Sequence, residues 1–181
     1  MNKERAIEGF AASGVGTCDC IRHDMKRACS VGDMQKGERC VNRFICIFGT
    51  YPIVNRYINM DYFFFSSIKD NEAIKIVVSY DIACQWGINL RERMRKYPQW
   101  MHTDHENKTT FHFLVPKFHL HLPAHVKGCQ TNFSFNFNKN VRRTDGEGVE
   151  RGWSHINAVA TSTREMGPGS RRDTLDDHFG D

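Results

Sequence analysis

Between Ile74 and Tyr80 the chain reads IKIVVSY, seven residues of which only Lys75 is charged, and the run stops at a carboxylate, Asp81. A stretch this short and this rich in β-branched residues suits a strand covered on both faces rather than a half-exposed one. The expectation is a central strand of an α/β sheet. Ligand sites gather beyond the carboxyl ends of such strands, so an acid placed immediately after the apolar run points into a site. Asp81 is therefore the first candidate for chemistry. Its competing role is to cap the helix expected from Ile82 to about Tyr97, where an acid helps the unpaired N–H groups.

A chain of 181 residues with 40% hydrophobic and 12% aromatic content, 13 of them Phe, has enough apolar material for a single domain with a real core. The net charge of +4 permits a polyanionic partner without requiring one. No run reaches the roughly 18 apolar residues of a membrane span, and MNKERAIEGF carries no apolar signal core, so no membrane role and an intracellular chain are expected. Seven cysteines without a secretory signal favour free thiols or metal ligands over a disulfide framework. The first residues read as mid-domain and the closing DTLDDHFGD brings no change of composition, which suggests a fragment.

Along the chain, Gly14 to Ile21 reads as a strand, and Cys20-x2-His23 has the spacing of half a zinc site. Gly32 to Arg39 looks like a loop entering a helix, and DYFFFSSI from Asp61 supplies a dense apolar face. Between them Cys40 to Arg56 is β-prone, with Gly49 and Pro52 inside a context that otherwise asks for a continuous helix. FHFLVP, ending at Pro116, is a second apolar strand. In the segment that follows, His121, His125 and Cys129 fall at i, i+4 and i+8 and would share one helix face, unless Pro123 breaks it. The alternative for these histidines is ordinary hydrogen bonding at a helix start. Phe133 to Asn138, FSFNFN, alternates as an exposed strand does.

The second acidic element is TDGEGVERGW. Thr144 with Glu147 three residues on has the form of a capping box, which gives Glu147 a structural task. Val149, Trp153, Ile156 and Ala160 mark the buried face of a helix ending at Glu165 or Met166, before Gly167 and Pro168. Glu150 lies one step beside that face, where a carboxylate reaches the edge of a site. The tail from Gly169, with Arg171 and Arg172, reads as a solvated loop. A strand-end Asp and a helix-borne Glu are the kind of pair that binds divalent cations. Two such ions about 4 Å apart can activate a hydroxyl and stabilise the leaving oxygen of a phosphodiester.

The strings GDMQKGER, NMDYFFFSS, VVSYDIACQW, FLVPKFHLHLPAH, FSFNF, RTDGEGVERGW and STREMGPGSRRDTLDDHFGD resemble, in order, motifs of the Kyakuja-Dileera-Zisupton transposases. The resemblance implies an α/β fold in which residues 1–181 form an incomplete RNase H-like core, a mixed sheet flanked by helices. It also implies a DDE-type transposase that cuts and joins DNA at transposon ends with Mg²⁺ or Mn²⁺, in the nucleus. Asp81 is then the second acid and Glu150 the last, both ligating Mg²⁺, with Glu147 the alternative to Glu150. The family's first catalytic Asp belongs to a strand preceding anything present here, so the chain alone is expected to be inactive.

Two departures from the family pattern stand out. Residues 40–56 separate Arg39 from Tyr57, where the family runs on directly, and they read as an insertion, a retained intron. KFHLHLPAH is two residues longer than the family's KFHLPAH, leaving His121, His125 and Cys129 in the HxxxHxxxC pattern and His119 outside it. A zinc site from Cys20, His23, His125 and Cys129 is the corresponding expectation. The alternative function is a noncatalytic nucleic-acid- or protein-binding remnant, with Lys139, Arg142, Arg143, Arg171 and Arg172 on phosphates. No complete DNA-reading motif is present, so target choice would reside elsewhere, and the oligomeric state stays open.

Overall fold

The computed structural model describes residues 14–23, 25–34, 57–102, 108–139, 141, 144–163 and 165–180. The stretch read as an insertion, residues 40–56, and the bases Arg142 and Arg143 lie outside these. Two antiparallel ribbons come first: β1 (Gly14–Gly16) pairs with β4 (Gly32–Met34), and β2 (Asp19–Cys20) with β3 (Met25–Lys26). The expected single strand from Gly14 to Ile21 is thus split in two, and the expected loop at Gly32 begins as a strand. Gly16 and Gly32 face each other across the first ribbon. A Cβ on either would come within 2.5 Å of the Phe63 ring, so the glycine pair is the floor on which Phe63 lies.

Phe63 belongs to α1 (Ile58–Ile68), whose opposite face supplies Phe64, Phe65 and Ile68 to the main core. These pack on Trp86, Leu90, Met94 and Met101 from the segments downstream. Phe64 meets Trp86 edge-on at 5.2 Å between centroids. Phe65 and Trp86 are almost wholly buried, each contributing about 1.5–3 kcal/mol of apolar transfer.

The helix expected from Ile82 to Tyr97 is two short helices, α2 (Ala83–Trp86) and α3 (Leu90–Met94), parted by Asn89 at φ +55°. The break is held by Arg93, whose guanidinium donates to the carbonyls of Trp86 and Ile88 at 2.7 and 2.6 Å. Side-chain donors thus satisfy carbonyls that a continuous helix would have satisfied through its backbone. The same guanidinium and Trp86 Nε1 grip Asp61, a fully buried acid on α1 that also accepts from Tyr97.

The Ile74 run forms β5 (Lys75–Ser79), and FHFLVP forms β6 (Thr110–Leu114); they pair in parallel, Lys75 opposite Thr110 and Ser79 opposite Leu114. Among the described residues this sheet has two strands, with no helix over its outer face, so Ile74 and Val77 are exposed. That corrects the expectation of a strand covered on both sides. The mixed α/β character is as expected.

Beyond β6 come α4 (Lys117–Leu120) and α5 (Lys127–Asn132). The turn through Pro123 separates them, so His121 and His125 do not share a helix. FSFNFN is not a strand: it makes a single bridge, Val115 to Ser134, and buries Phe135 while Phe137 stays exposed. Then follow α6 (Gly148–Thr163) and α7 (Pro168–Gly180). The tail read as a loop is helical, and Pro168 suits the first position of this new helix because its missing N–H is not needed there. Arg171 and Leu175, four apart, face inward from it.

Candidate functional site

Parallel strands end on the same side of a sheet, so the segments leaving β5 and β6 emerge together. Asp81 follows the first by two residues and His119 the second by five, on α4. The start of α6 is brought to the same edge by residues 144–147. Ser79 Oγ donates to the Gly146 carbonyl at 3.3 Å, and Lys117 N–H donates to the Asp145 carbonyl at 2.9 Å. Gly146 has φ +80°, and a Cβ there would strike the Phe135 ring and Ser79 Oγ at 2.6 and 2.8 Å. Only glycine lets this turn approach the strand end so closely.

The consequence is a cluster at the carboxyl edge: ligand atoms of Asp81, His119 and Glu150 all lie within 4.8 Å of one another. His119 Nδ1 is 3.4 Å from Asp81 Oδ1 and 3.7 Å from Glu147 Oε2. That nitrogen is shut off from solvent and makes no hydrogen bond with the described residues. Burial raises the proton affinity of Asp81; His119 opposes the rise, and the charges of Glu150 and Glu147 add to it. Three carboxylates thus converge on one imidazole.

Glu147 has a structural task, though not the one its spacing from Thr144 suggests. The α6 entrance is built from Thr144 Oγ1, which accepts from Gly146 N–H, and Asp145 Oδ1, which accepts from Glu147 N–H. The Glu147 carboxylate turns away from α6 and accepts the Phe118 N–H at 3.0 Å, satisfying one of the unpaired donors at the start of α4. It is buried, whereas Glu150 is exposed in the first turn of α6. Hydrogen bonds from Glu147 N–H and Arg151 hold the Asp145 carboxyl below its ordinary range, the backbone bond being the larger effect.

Behind Asp81 lies a second group, Cys84 on α2 with His125 and Cys129 at the start of α5, again with ligand atoms within 4.8 Å of one another. Burial, then the neighbouring Cys129, pushes the Cys84 thiol up to about 11. His125 is buried, and burial lowers its proton affinity, followed by the charge of His119; its hydrogen bond to the Asp81 backbone carbonyl works the other way.

The other half of the expected zinc set sits apart. Cys20 Sγ and His23 Nδ1 contact each other at 3.2 Å and belong to neither group. His121 is exposed and also belongs to neither. The two residues that sequence reasoning passed over are His119 and Cys84. The signal for Cys84 was its place three residues after Asp81; the signal for His119 was masked by the two-residue extension of KFHLHLPAH.

Of the basic residues assigned to phosphate contacts, Lys139 and Arg172 are exposed. Arg171 is buried, with its guanidinium on Asp33 Oδ1 at 3.0 Å and on the Thr163 carbonyl at 3.2 Å, so it ties α7 to β4 and α6. No helix among the described residues is long and apolar enough to cross a membrane.

No curated protein and no solved structure matches the chain. The sequence model of one family, described as Kyakuja-Dileera-Zisupton transposase, matches residues 1–51 and 40–181. Those two matches together run from the first residue to the last, and the chain belongs to the Kyakuja-Dileera-Zisupton transposase family.

Proposed function

We propose that the chain forms part of an RNase H-like catalytic domain of a DDE-type DNA transposase, and that Asp81 and Glu150 are two of its metal-binding acids. The observation that carries this reading is the convergence of Asp81, His119 and Glu150 within 4.8 Å at the carboxyl end of a parallel strand pair. The donor set fits a hard divalent cation: carboxylate oxygens in excess of positive charge, on a partly open edge. Bound there, Mg²⁺ or Mn²⁺ would supply charge neutralisation at a phosphodiester and lower the proton affinity of an attacking hydroxyl.

The protein's own residues have separable duties. Asp81 and Glu150 present oxygens from two different elements, so the site exists only when α6 is docked on the strand end. Glu147 fixes α4 through the Phe118 N–H and so places His119. The unpaired Nδ1 of His119 lies where it can hold or donate a proton beside the acids. Its nitrogen also makes the set more favourable to Mn²⁺ than an all-oxygen site would be. Lys139 and Arg172 are exposed cations suited to DNA phosphates. Action on DNA at transposon ends implies a nuclear protein.

The family model matches in two pieces that overlap at residues 40–51, inside the stretch 40–56, and a match broken there supports the reading of that stretch as an insertion, a retained intron in the transcript. A spliced transcript lacking those codons is the expected finding, and transcripts that all carry them would overturn it.

The site is tested by Mn²⁺ binding to the full chain, read by electron paramagnetic resonance. Wild type is expected to bind, and Asp81→Asn and Glu150→Gln are each expected to lower the affinity tenfold or more, at about 1.4 kcal/mol per tenfold. Equal binding by wild type and both variants would overturn the assignment. DNA binding that ignores both substitutions and the cation would instead favour the noncatalytic remnant.

A further inference from the structure

We infer that Cys84, His125 and Cys129 form a zinc site that buttresses the acidic edge from behind. Cys84 belongs to the segment that follows β5, and His125 and Cys129 to the segment that follows β6, with 41 residues between Cys84 and His125. Their ligand atoms gather within 4.8 Å, with Cys84 Sγ and His125 Nδ1 at 3.5 Å. Zinc bonded tetrahedrally to a thiolate at about 2.3 Å and an imidazole at about 2.0 Å holds those two atoms about 3.5 Å apart. The span is therefore the one the metal requires, without movement of either side chain.

The chemistry of the donors selects the ion. Two thiolates and an imidazole are soft to borderline ligands that favour Zn²⁺ over Mg²⁺, and they leave the centre neutral overall, as a largely buried site demands. Cys84 and Cys129 are both partly exposed, so a water can supply the fourth ligand. The His125 ring also lies beside the Asp81 backbone, whose carbonyl favours its protonated form, the kind of outer neighbour a metal-bound imidazole has. Cys84 follows Asp81 by three residues, so a metal held there fixes the segment that presents the acidic edge, and the zinc positions Asp81 without taking part in chemistry itself.

Cys20 and His23 are outside this set. The site shares His125 and Cys129 with the set expected from sequence and replaces the other pair by Cys84, leaving one metal-bound imidazole.

The experiment uses the full chain, purified in reductant after growth with zinc. About one zinc per chain is expected by metal analysis, falling to background in Cys84→Ser and in Cys129→Ser and unchanged in Cys20→Ser. Substitution with Co²⁺ should give a thiolate-to-metal charge-transfer band that Cys84→Ser abolishes. Should a serine variant fail to fold, alkylation of the wild-type chain decides. Cys84 and Cys129 should be protected with zinc and become reactive together on chelation, while Cys20 reacts in both states. Wild-type chain free of zinc after this preparation, zinc retained by both serine variants, or protection of Cys20 in place of Cys84 would each overturn the site. Asp81→Asn should keep its zinc while losing Mn²⁺ binding, so the two centres fail separately.

Discussion

Asp61 and Asp81 sit 20 residues apart by number, each at the start of its own cluster, and their surroundings are opposite. Asp61 is fully buried and accepts four hydrogen bonds, from Trp86 Nε1, two guanidinium nitrogens of Arg93 and the Tyr97 hydroxyl. Its charge is matched by one cation and its lone pairs are filled by protein donors. Asp81 is partly open, faces two further carboxylates, and is opposed among the described residues by His119 at 3.4 Å and more weakly by His125. The first acid is complete within the fold, and the second is completed only by something added. A buried acid with every lone pair used is structure, whereas an acid with surplus negative neighbours is a place for a ligand.

Substitutions can break or sharpen that contrast. The largest effect is expected at Asp61→Ala, which leaves Arg93 charged and unpaired in the core and should cost about 3–5 kcal/mol in urea unfolding. A loss below about 1 kcal/mol would remove the distinction between the two acids. Glu147→Ala comes next, because the Phe118 N–H is left without an acceptor; a loss of about 1–3 kcal/mol is expected, with Glu147→Gln recovering most of it. Asp81→Asn should act in the opposite direction. In chelator it relieves like-charge repulsion and raises stability by at most about 1 kcal/mol, since a partly exposed carboxylate is screened. It should also abolish the rise in melting temperature that Mn²⁺ gives the wild type.

A similarly small effect, set apart by its pH dependence, is expected at Asp145, where the turn into α6 holds the carboxylate ionised. A group whose proton affinity is lowered by folding adds stability that is present above its unfolded value, near pH 4, and is lost as pH falls through its folded value. Asp145→Ala should therefore cost about 1 kcal/mol at pH 7 and correspondingly less at pH 2–3, measured by urea titration at each pH. An equal loss at both pH values would show that the charge has no role in the turn.

The two clusters also differ in how far they could be read from sequence. Asp81 was legible because a strand-end acid is a local pattern, and Glu150 because helical spacing set it beside Val149 and Trp153, which the fold buries only in part. The Asp61 cluster was not, since its partners arrive from α2, α3 and the turn after them, and nothing local marks NMDY as buried. The break at Asn89 was hidden for the same reason: it depends on where the Arg93 guanidinium goes. Cys84 could not be paired with His125 and Cys129 without knowing that β5 and β6 are parallel neighbours. The open face of β5 was misread because a β-branched run conceals the alternation that separates half-buried from fully buried strands. The family was legible from seven short strings, while α7 was not, because its buried residues among those described are Arg171 and Leu175 amid many charges.

The five paired rungs between β5 and β6 work as a gauge for the acidic edge. Length changes upstream of Lys75, or in the connection before Thr110, leave the distance from Asp81 to His119 alone, because both are counted from the same last rung. Deleting one residue between Lys75 and Tyr80 would move Asp81 by about 3.3 Å and swing its side chain to the opposite face. Such a step exceeds the bond from an oxygen to a small cation, about 2.0–2.1 Å for Mg²⁺, so tolerance to insertion should end abruptly at the first rung.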